Sequence, residues 1–285
     1  MRREQGENSM ENTGLLREKP EIFRKKVADL IFRSMNPEAD YIPDASLISE
    51  ASAVLFLLGP EYGKNSDICL ILNKRSVNVR QPGDLCCPGG GLTPVLDDVL
   101  AGLVTLPEFP MRQWPYWSAM KKQHPQAARS IAHLFAAGLR EGFEEMRMNP
   151  FRVRFLGPLA PARLVMFRRI IYPLAAWISG QKRFFPNWEV EKVVYIPLRC
   201  LLNPAHYALY RVQYSARVEE KIHRNTQDFS CFMYESEGER EMLWGATFRI
   251  VMNFLQLLFG FTPPDAQNLP VISGTIRKAY LTGKR

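Results

Sequence analysis

The chain has 285 residues, 46% of them hydrophobic and 23% charged, a balance that suits a folding globular chain and excludes collagenous, disordered and membrane-filled sequences. Its 37 Lys and Arg against 29 Asp and Glu leave a formal charge of +8, which favours a polyanionic partner such as a phosphate ester without choosing among them. Cys69, Cys86, Cys87, Cys200 and Cys231 show neither CxxC nor Cys/His zinc spacing, so no disulfide framework or structural zinc is expected, and the setting they imply is reducing and cytoplasmic.

Residues 1–19 are polar, with no apolar period and no signal-peptide core, and read as a disordered tail. From Pro20 onward, Ile22, Phe23, Val27, Leu30 and Ile31 recur at helical spacing, an amphipathic lead helix. Residues 52–58 and 68–73 are strand-like and are separated by Gly59, Pro60, Gly63 and Asn65, the signal of a hairpin. A short apolar run over 85–87 then ends in Pro88-Gly89-Gly90-Gly91. Residues 92–125 are punctuated by proline and carry Trp114, Tyr116 and Trp117, an insertion expected to expose an aromatic patch as a lid or partner surface.

A helical period covers 126–148. Strands are expected at 153–159, 170–178, 190–196, 207–214 and 229–234, followed by a helix over 243–258. The apolar run 243–261 is broken by Arg249, Asn253 and Gln256, so it reads as amphipathic and not as a membrane span. Strands and helices interleave without regular βαβ alternation, which predicts an α/β sandwich with a mixed sheet. One domain over 20–262 is expected, with an extension over 263–285.

The helix over 126–148 carries the chemistry. At 100° per residue Glu141, Glu144 and Glu145 share one stripe, while Ala132, Phe135, Ala136, Leu139, Phe143 and Met146 line the opposite face, so the acids are expected to point away from the packed side. Glu141 and Glu145 form an i,i+4 like-charge pair, which destabilises a helix by roughly 0.2–0.5 kcal/mol unless something neutralises it. A Mg²⁺ ion held by hard carboxylate oxygens would do so; a solvated acidic face is the other reading. Upstream, the amides of Gly89, Gly90 and Gly91 could face a phosphate, or simply turn the chain.

Together, Pro88-Gly89-Gly90-Gly91 and Arg140-Glu141-Gly142-Phe143-Glu144-Glu145 resemble the Nudix box, whose pattern is Gly, five residues, Glu, seven residues, Arg-Glu-apolar-any-Glu-Glu-any-Gly-apolar. Asn73-Lys74-Arg75-Ser76, Arg80, Gly83 to Gly90, Leu156-Gly157-Pro158-Leu159, Asn187 with Glu189-Val190, Pro197-Leu198 and Trp244-Gly245-Ala246-Thr247 extend the likeness to the coenzyme A pyrophosphatase branch. Three departures stand out. Gly90 and Arg140 lie 50 positions apart, about 36 more than the box has, so Asp97 and Asp98 are both candidates for its first acid. Arg147 replaces the box glycine, and Asn149-Pro150 is expected to stop the helix slightly later. The histidine usual before the glycine strand is missing near Gln81-Pro82.

The resemblance implies a Nudix-type α/β/α sandwich with a mixed sheet. It also implies a hydrolase, using Mg²⁺ or Mn²⁺, that cleaves the diphosphate of a nucleoside diphosphate linked to another moiety, such as coenzyme A or a derivative. In that reading Glu141, Glu144 and Glu145 are the metal ligands, Glu189 is a candidate base, and Arg140 orients a box carboxylate. Arg75 and Arg80, with Gly89, Gly90 and Gly91, are candidates to hold phosphate. Arg163, Arg168, Arg169, Lys182 and Arg183 are candidates to attract an extra phosphate, or are ordinary solvated charges. Cys86 and Cys87 are read as small core residues, and His124, His133, His206 and His223 receive no role. The expected partner is a small-molecule nucleotide, with no nucleic acid and no membrane; oligomeric state is left open. The alternative is a catalytically degenerate module that binds a nucleotide or protein partner.

Overall fold

The computed structural model describes residues 14–41, 50–61, 67–164, 169–215, 225–236 and 238–283. Its centre is β1 (Ala51–Pro60), a nearly unbroken apolar strand that is buried along most of its length, as a strand covered on both faces must be. β1 runs antiparallel to β2 (Ile68–Arg75), with Leu57 opposite Ile71. β3 (Leu85–Cys86) pairs with the end of β2 beyond β1, with Asn73 opposite Cys86. β4 (Gly89–Gly91) also pairs with β1, antiparallel, with Ala53 opposite Gly90.

β5 (Val153–Pro158) and β6 (Ala162–Leu164) pair in turn with one side of β7 (Arg169–Ile178), whose other side lies parallel to β1, with Leu55 opposite Leu174. β8 (Val190–Pro197) pairs with β2 and completes a mixed sheet. A second sheet holds β9 (Tyr207–Tyr214), β10 (Thr226–Ser236), β11 (Glu239–Leu243) and β12 (Val271–Ile276) in the order β11-β10-β9-β12.

Helices cover both faces of the first sheet, which gives the α/β sandwich with a mixed sheet that the sequence predicts. On one face, Phe56 and Leu58 pack with Phe23, Val27 and Ile31 of α1 (Pro20–Ser34). On the other, Ala53, Leu55 and Leu57 share a core with the insertion helices α2 (Pro94–Val104) and α3 (Trp117–Gln123) and with α4 (Pro125–Met146). α5 (Gly245–Phe259) lies on the α1 side, and Gly260 closes it in the left-handed conformation usual for a C-terminal glycine. α4 approaches β1 closely because Gly138 has no side chain: a Cβ there would stand 2.9 Å from Leu55 Cδ2. Leu55 itself is fully buried, and truncating such a leucine to alanine typically costs about 2–5 kcal/mol.

Three expectations change. Leu15, inside the stretch read as a tail, is 3% exposed and belongs to the core; residues 1–13 lie outside the described residues, as do Gly63, Asn65, Arg168 and His223. The stretch 263–285 contributes β12, which pairs parallel with β9, and α6 (Lys278–Thr282), so it is built into the second sheet. The aromatic patch of the insertion is not on the surface. Trp114 and Trp117 are buried, and Trp114 Nε1 donates to Leu156 O at 3.1 Å. Tyr116 stacks on Phe32 with ring centroids 4.0 Å apart. What the insertion exposes is an aliphatic row on α2, Val95, Val99 and Leu103. Among the described residues no helix is long and apolar enough to cross a membrane.

Candidate active site

α4 starts at Pro125, where a missing N–H costs nothing, and ends at Met146, not beyond it. Arg147 adopts φ 55° and ψ 37°, the left-handed conformation a glycine would take there, and its N–H reaches the carbonyls of Gly142 and Phe143. Its guanidinium lies over the Phe143 ring, 5.2 Å from the centroid. Phe143 is therefore exposed and not part of the packed face.

The acids do not all point to solvent either. Glu145 is 7% exposed, and its Oε2 accepts from Asn73 Nδ2 at 2.9 Å and from the Gly89 N–H at 3.1 Å. Burial pushes its carboxyl up to about 8; the Gly89 N–H opposes that shift, and the charges of Glu141 and Glu189 add to it. Glu141 is likewise raised by burial, against Arg140 and with Glu144 and Glu189. Glu144 stays half-exposed. Glu189 thus lies close enough to act on both Glu141 and Glu145, although the two are far from it in sequence.

Gly89, Gly90 and Gly91 form a strand, not an open phosphate loop. The Gly89 N–H is given to Glu145. A Cβ on Gly89 would strike Ala53 O at 2.3 Å, at a backbone φ of 147° that side chains rarely adopt. A Cβ on Gly90 would meet Glu141 Cδ at 2.6 Å. Gly89 makes room for the backbone of β1, and Gly90 for the Glu141 carboxylate.

Arg140 ties the two halves of the motif together. Its Nε donates to Asp97 Oδ1 at 2.8 Å, one terminal nitrogen donates to Gly91 O at 3.0 Å and to Asp97 Oδ2 at 3.3 Å, and the other reaches Glu141 Oε1 at 2.9 Å and Glu144 Oε2 at 3.4 Å. Asp97 is completely buried and also accepts from the Thr93 N–H at 2.6 Å, closing the first turn of α2. Asp98 instead faces His133, at 2.8 Å from Nδ1, and is exposed. Of the two first-acid candidates it is Asp97 that stands on Arg140, and it follows Gly91 by five intervening residues.

Of the proposed phosphate clamps, Arg75 acts electrostatically on Glu145, and its Nε donates to Arg80 O at 2.7 Å. Arg80 is exposed beside the chain's C-terminal turn at Gly283 and does not join the cluster. Arg163, Lys182 and Arg183 are exposed, and Arg169 donates to Ser52 Oγ at 3.0 Å. Burial pushes the Cys86 thiol up to about 12, the wrong direction for a nucleophile.

Asn73 is the residue whose part in the site the sequence does not reveal. It is a lone amide at the end of a buried apolar strand, and its Oδ1 is the buried side-chain polar atom left without a hydrogen bond among the described residues. Among the described residues, no three His, Cys, Asp or Glu stand close enough to hold a metal as placed. The donor chemistry nevertheless suits a hard divalent cation. Glu141, Glu144 and Glu145 offer only carboxylate oxygens, and the orphaned Asn73 amide oxygen lies beside Glu145.

No protein-family model matches the chain, and no curated protein matches it. Solved structures do, at low similarity. The Nudix domain of Shewanella oneidensis NrtR complexed with ADP ribose is 16% identical, over 60% of this chain and 83% of that one, with a TM-score of 0.34. A C. elegans Ap4A hydrolase is 13% identical, over 52% and 80%, with a TM-score of 0.32. The MutT protein from Methanosarcina mazei Go1 is 14% identical, over 53% and 79%, with a TM-score of 0.31. Superpositions of this extent carry no argument about substrate or chemistry.

Proposed function

We propose that the chain is a divalent-cation-dependent hydrolase of the Nudix type that cleaves the diphosphate of a nucleotide linked to another moiety, coenzyme A or a derivative being the favoured substrate. The observation that carries the reading is the gathering of Glu145, Asn73, the Gly89 N–H and the Glu141 carboxylate at one end of α4, with Asp97 and Arg140 locking the strand to the helix. Glu141, Glu144 and Glu145 would hold Mg²⁺ or Mn²⁺, which supplies charge neutralisation at the diphosphate oxygens and a more acidic water.

The chain's own residues do the rest. Asn73 and the Gly89 N–H fix the Glu145 carboxylate from behind, so its remaining oxygen is aimed without a rotamer search. Arg140 holds Glu141 against the glycine strand. Glu189, whose charge reaches both acids, would take the proton of the attacking water. Arg75 adds positive charge on the Glu145 side, where a phosphate would bring negative charge.

The rival reading, a module that binds without cleaving, draws on one observation: Arg140 lies across both Glu141 and Glu144. Two departures from the box that would favour it count for less, because Asp97 meets Arg140 and Arg147 adopts the glycine conformation. Hydrolysis of coenzyme A, acyl-coenzyme A, dinucleotides and sugar nucleotides, assayed with Mg²⁺, with Mn²⁺ and with chelator, separates the two. Metal-dependent release of a monophosphate product supports the enzyme, and ¹⁸O incorporation from labelled water identifies the phosphorus attacked. Binding without turnover across the panel overturns it.

A further inference from the structure

Arg75 closes β2, and its charge acts on Cys86, Asp84 and Glu145. A long side chain at a strand end has many rotamers open to it, so something must fix this one. A loop does so. Arg75 Nε donates to Arg80 O at 2.7 Å, the Arg75 N–H donates to Asp84 O at 3.0 Å, and Arg75 O accepts from the Gly83 N–H at 2.8 Å. The aim of the guanidinium is therefore set by the stretch 80–84.

That stretch is held in turn from the other end of the chain. Tyr280 O, in α6, accepts from the Gln81 N–H at 2.7 Å. Gln81 itself sits at φ 55°, a left-handed conformation that costs a residue with a side chain energy and persists only where the surroundings fix it. The Tyr280 hydroxyl donates to Asp84 Oδ2, and Trp244 Nε1 donates to Asp84 Oδ1 at 3.1 Å. The Tyr280 ring lies 6.4 Å from that of Trp244, which meets Tyr210 of β9 at 5.0 Å and Phe229 of β10 at 5.4 Å. Because α6 follows β12 after one residue and β12 pairs with β9, the second sheet delivers Tyr280 against the loop.

We infer that Tyr280 is a positioning residue: by clasping the loop at Gln81 with its carbonyl and at Asp84 with its hydroxyl, it sets the orientation of Arg75 toward the diphosphate of the substrate. This role rests on the function proposed above and draws the second sheet into it. An arginine already held in one orientation loses less freedom when it meets a phosphate, so the clasp strengthens binding without touching the ligand. Its effect passes through Arg75 and must vanish when Arg75 is removed. A tyrosine that only stabilised the fold would be felt equally with and without the arginine.

The test is a cycle on the full chain: wild type, Tyr280→Ala, Arg75→Ala and the double variant, each titrated by calorimetry with methylenediphosphonate, a non-hydrolysable diphosphate, in Mg²⁺. The expected result is that Tyr280→Ala weakens binding by about 3- to 30-fold when Arg75 is present and by no more than about 2-fold when it is absent. Tyr280→Phe, which keeps the ring but loses the hydroxyl, should fall between wild type and Tyr280→Ala. Unchanged affinity in Tyr280→Ala overturns the inference, and so does an equal loss in both backgrounds. Amide hydrogen exchange without ligand gives a second reading: Tyr280→Ala should speed exchange at Gln81 and Gly83 while the amides of β1 keep their wild-type rates. Unchanged protection at Gln81 and Gly83 overturns the inference whatever the ligand does. A wild type that binds no methylenediphosphonate and hydrolyses no diphosphate overturns the proposed function itself, a signature that the exchange rates do not share.

Discussion

Glu145 and Asp84 are two acids drawn out of water and held by two donors each, both acted on by Arg75 and differing in their other neighbours. Glu145 accepts from Asn73 and Gly89 beside the negative charges of Glu141 and Glu189. Asp84 accepts from Trp244 Nε1 at 3.1 Å and from the Tyr280 hydroxyl, with the positive charge of Arg75 nearby. Burial raises both, Asp84 to about 6 and Glu145 to about 8. The comparison teaches that burial alone does not mark a reactive group. What sets Glu145 apart is that Glu141 and Glu189 repel its charge, a repulsion that a proton or a divalent cation would relieve. Asp84 is already satisfied and clasps the C-terminal segment to the loop before β3.

Four measurements can break or sharpen that contrast, the largest effect first. Glu145→Gln and Glu144→Gln should each lower turnover by orders of magnitude, by removing a ligand from the proposed metal site while the fold stays intact; near-normal rates in both would remove the metal assignment. Asp97→Asn strips the buried partner from Arg140, and loss of one member of a buried pair typically costs about 3–5 kcal/mol, to be read in denaturant melts. If stability is unchanged, the Arg140–Asp97 lock is not structural.

The third concerns Asp84. Its folded pKa lies above its unfolded value of 3.8, so the folded state holds the proton longer. Its contribution is therefore full below about pH 4 and declines as pH rises through about 6. The loss is at most about 3 kcal/mol, from the cited shift at 1.36 kcal/mol per unit. Asp84→Asn should thus gain on the wild type between pH 4 and pH 7 in unfolding experiments, with activity little affected. A constant difference across that range would show that Asp84 does not titrate in it. The smallest effect belongs to Arg147→Gly, which relieves a left-handed conformation that disfavours side chains by roughly 1–2 kcal/mol but gives up the Phe143 contact. A modest net rise in melting temperature is expected, and a fall would mean that the ring contact outweighs the strain.

Much of the architecture is legible in the sequence because it rests on side-chain period. β1, β2, β5, β7, β8 and β9 fall where alternating or continuous apolar runs place them, and α4 and α5 within a residue or two of the expected ends. The glycine strand is different. Gly89 to Gly91 pairs with β1 through backbone alone, and residues without side chains leave no pattern to read. Glu145 turns inward because Asn73 and Gly89, 72 and 56 positions away, supply its hydrogen bonds, and no local rule contains such contacts. The insertion misleads for a related reason. Its tryptophans resemble loop aromatics until α3 and α4 are folded around them. The motif resemblance locates the acids of α4, but only the Arg140 contacts separate Asp97 from Asp98.

The placement of Asp97 has one more consequence. It sits in the first turn of α2, yet its carboxylate secures the guanidinium at the far end of α4. On the proposed reading, the detour between the two halves of the motif starts after this acid, not after the glycines. A splice that shortens the protein could begin only downstream of Asp97, and a graft of foreign sequence into the same gap would have to leave that opening turn untouched.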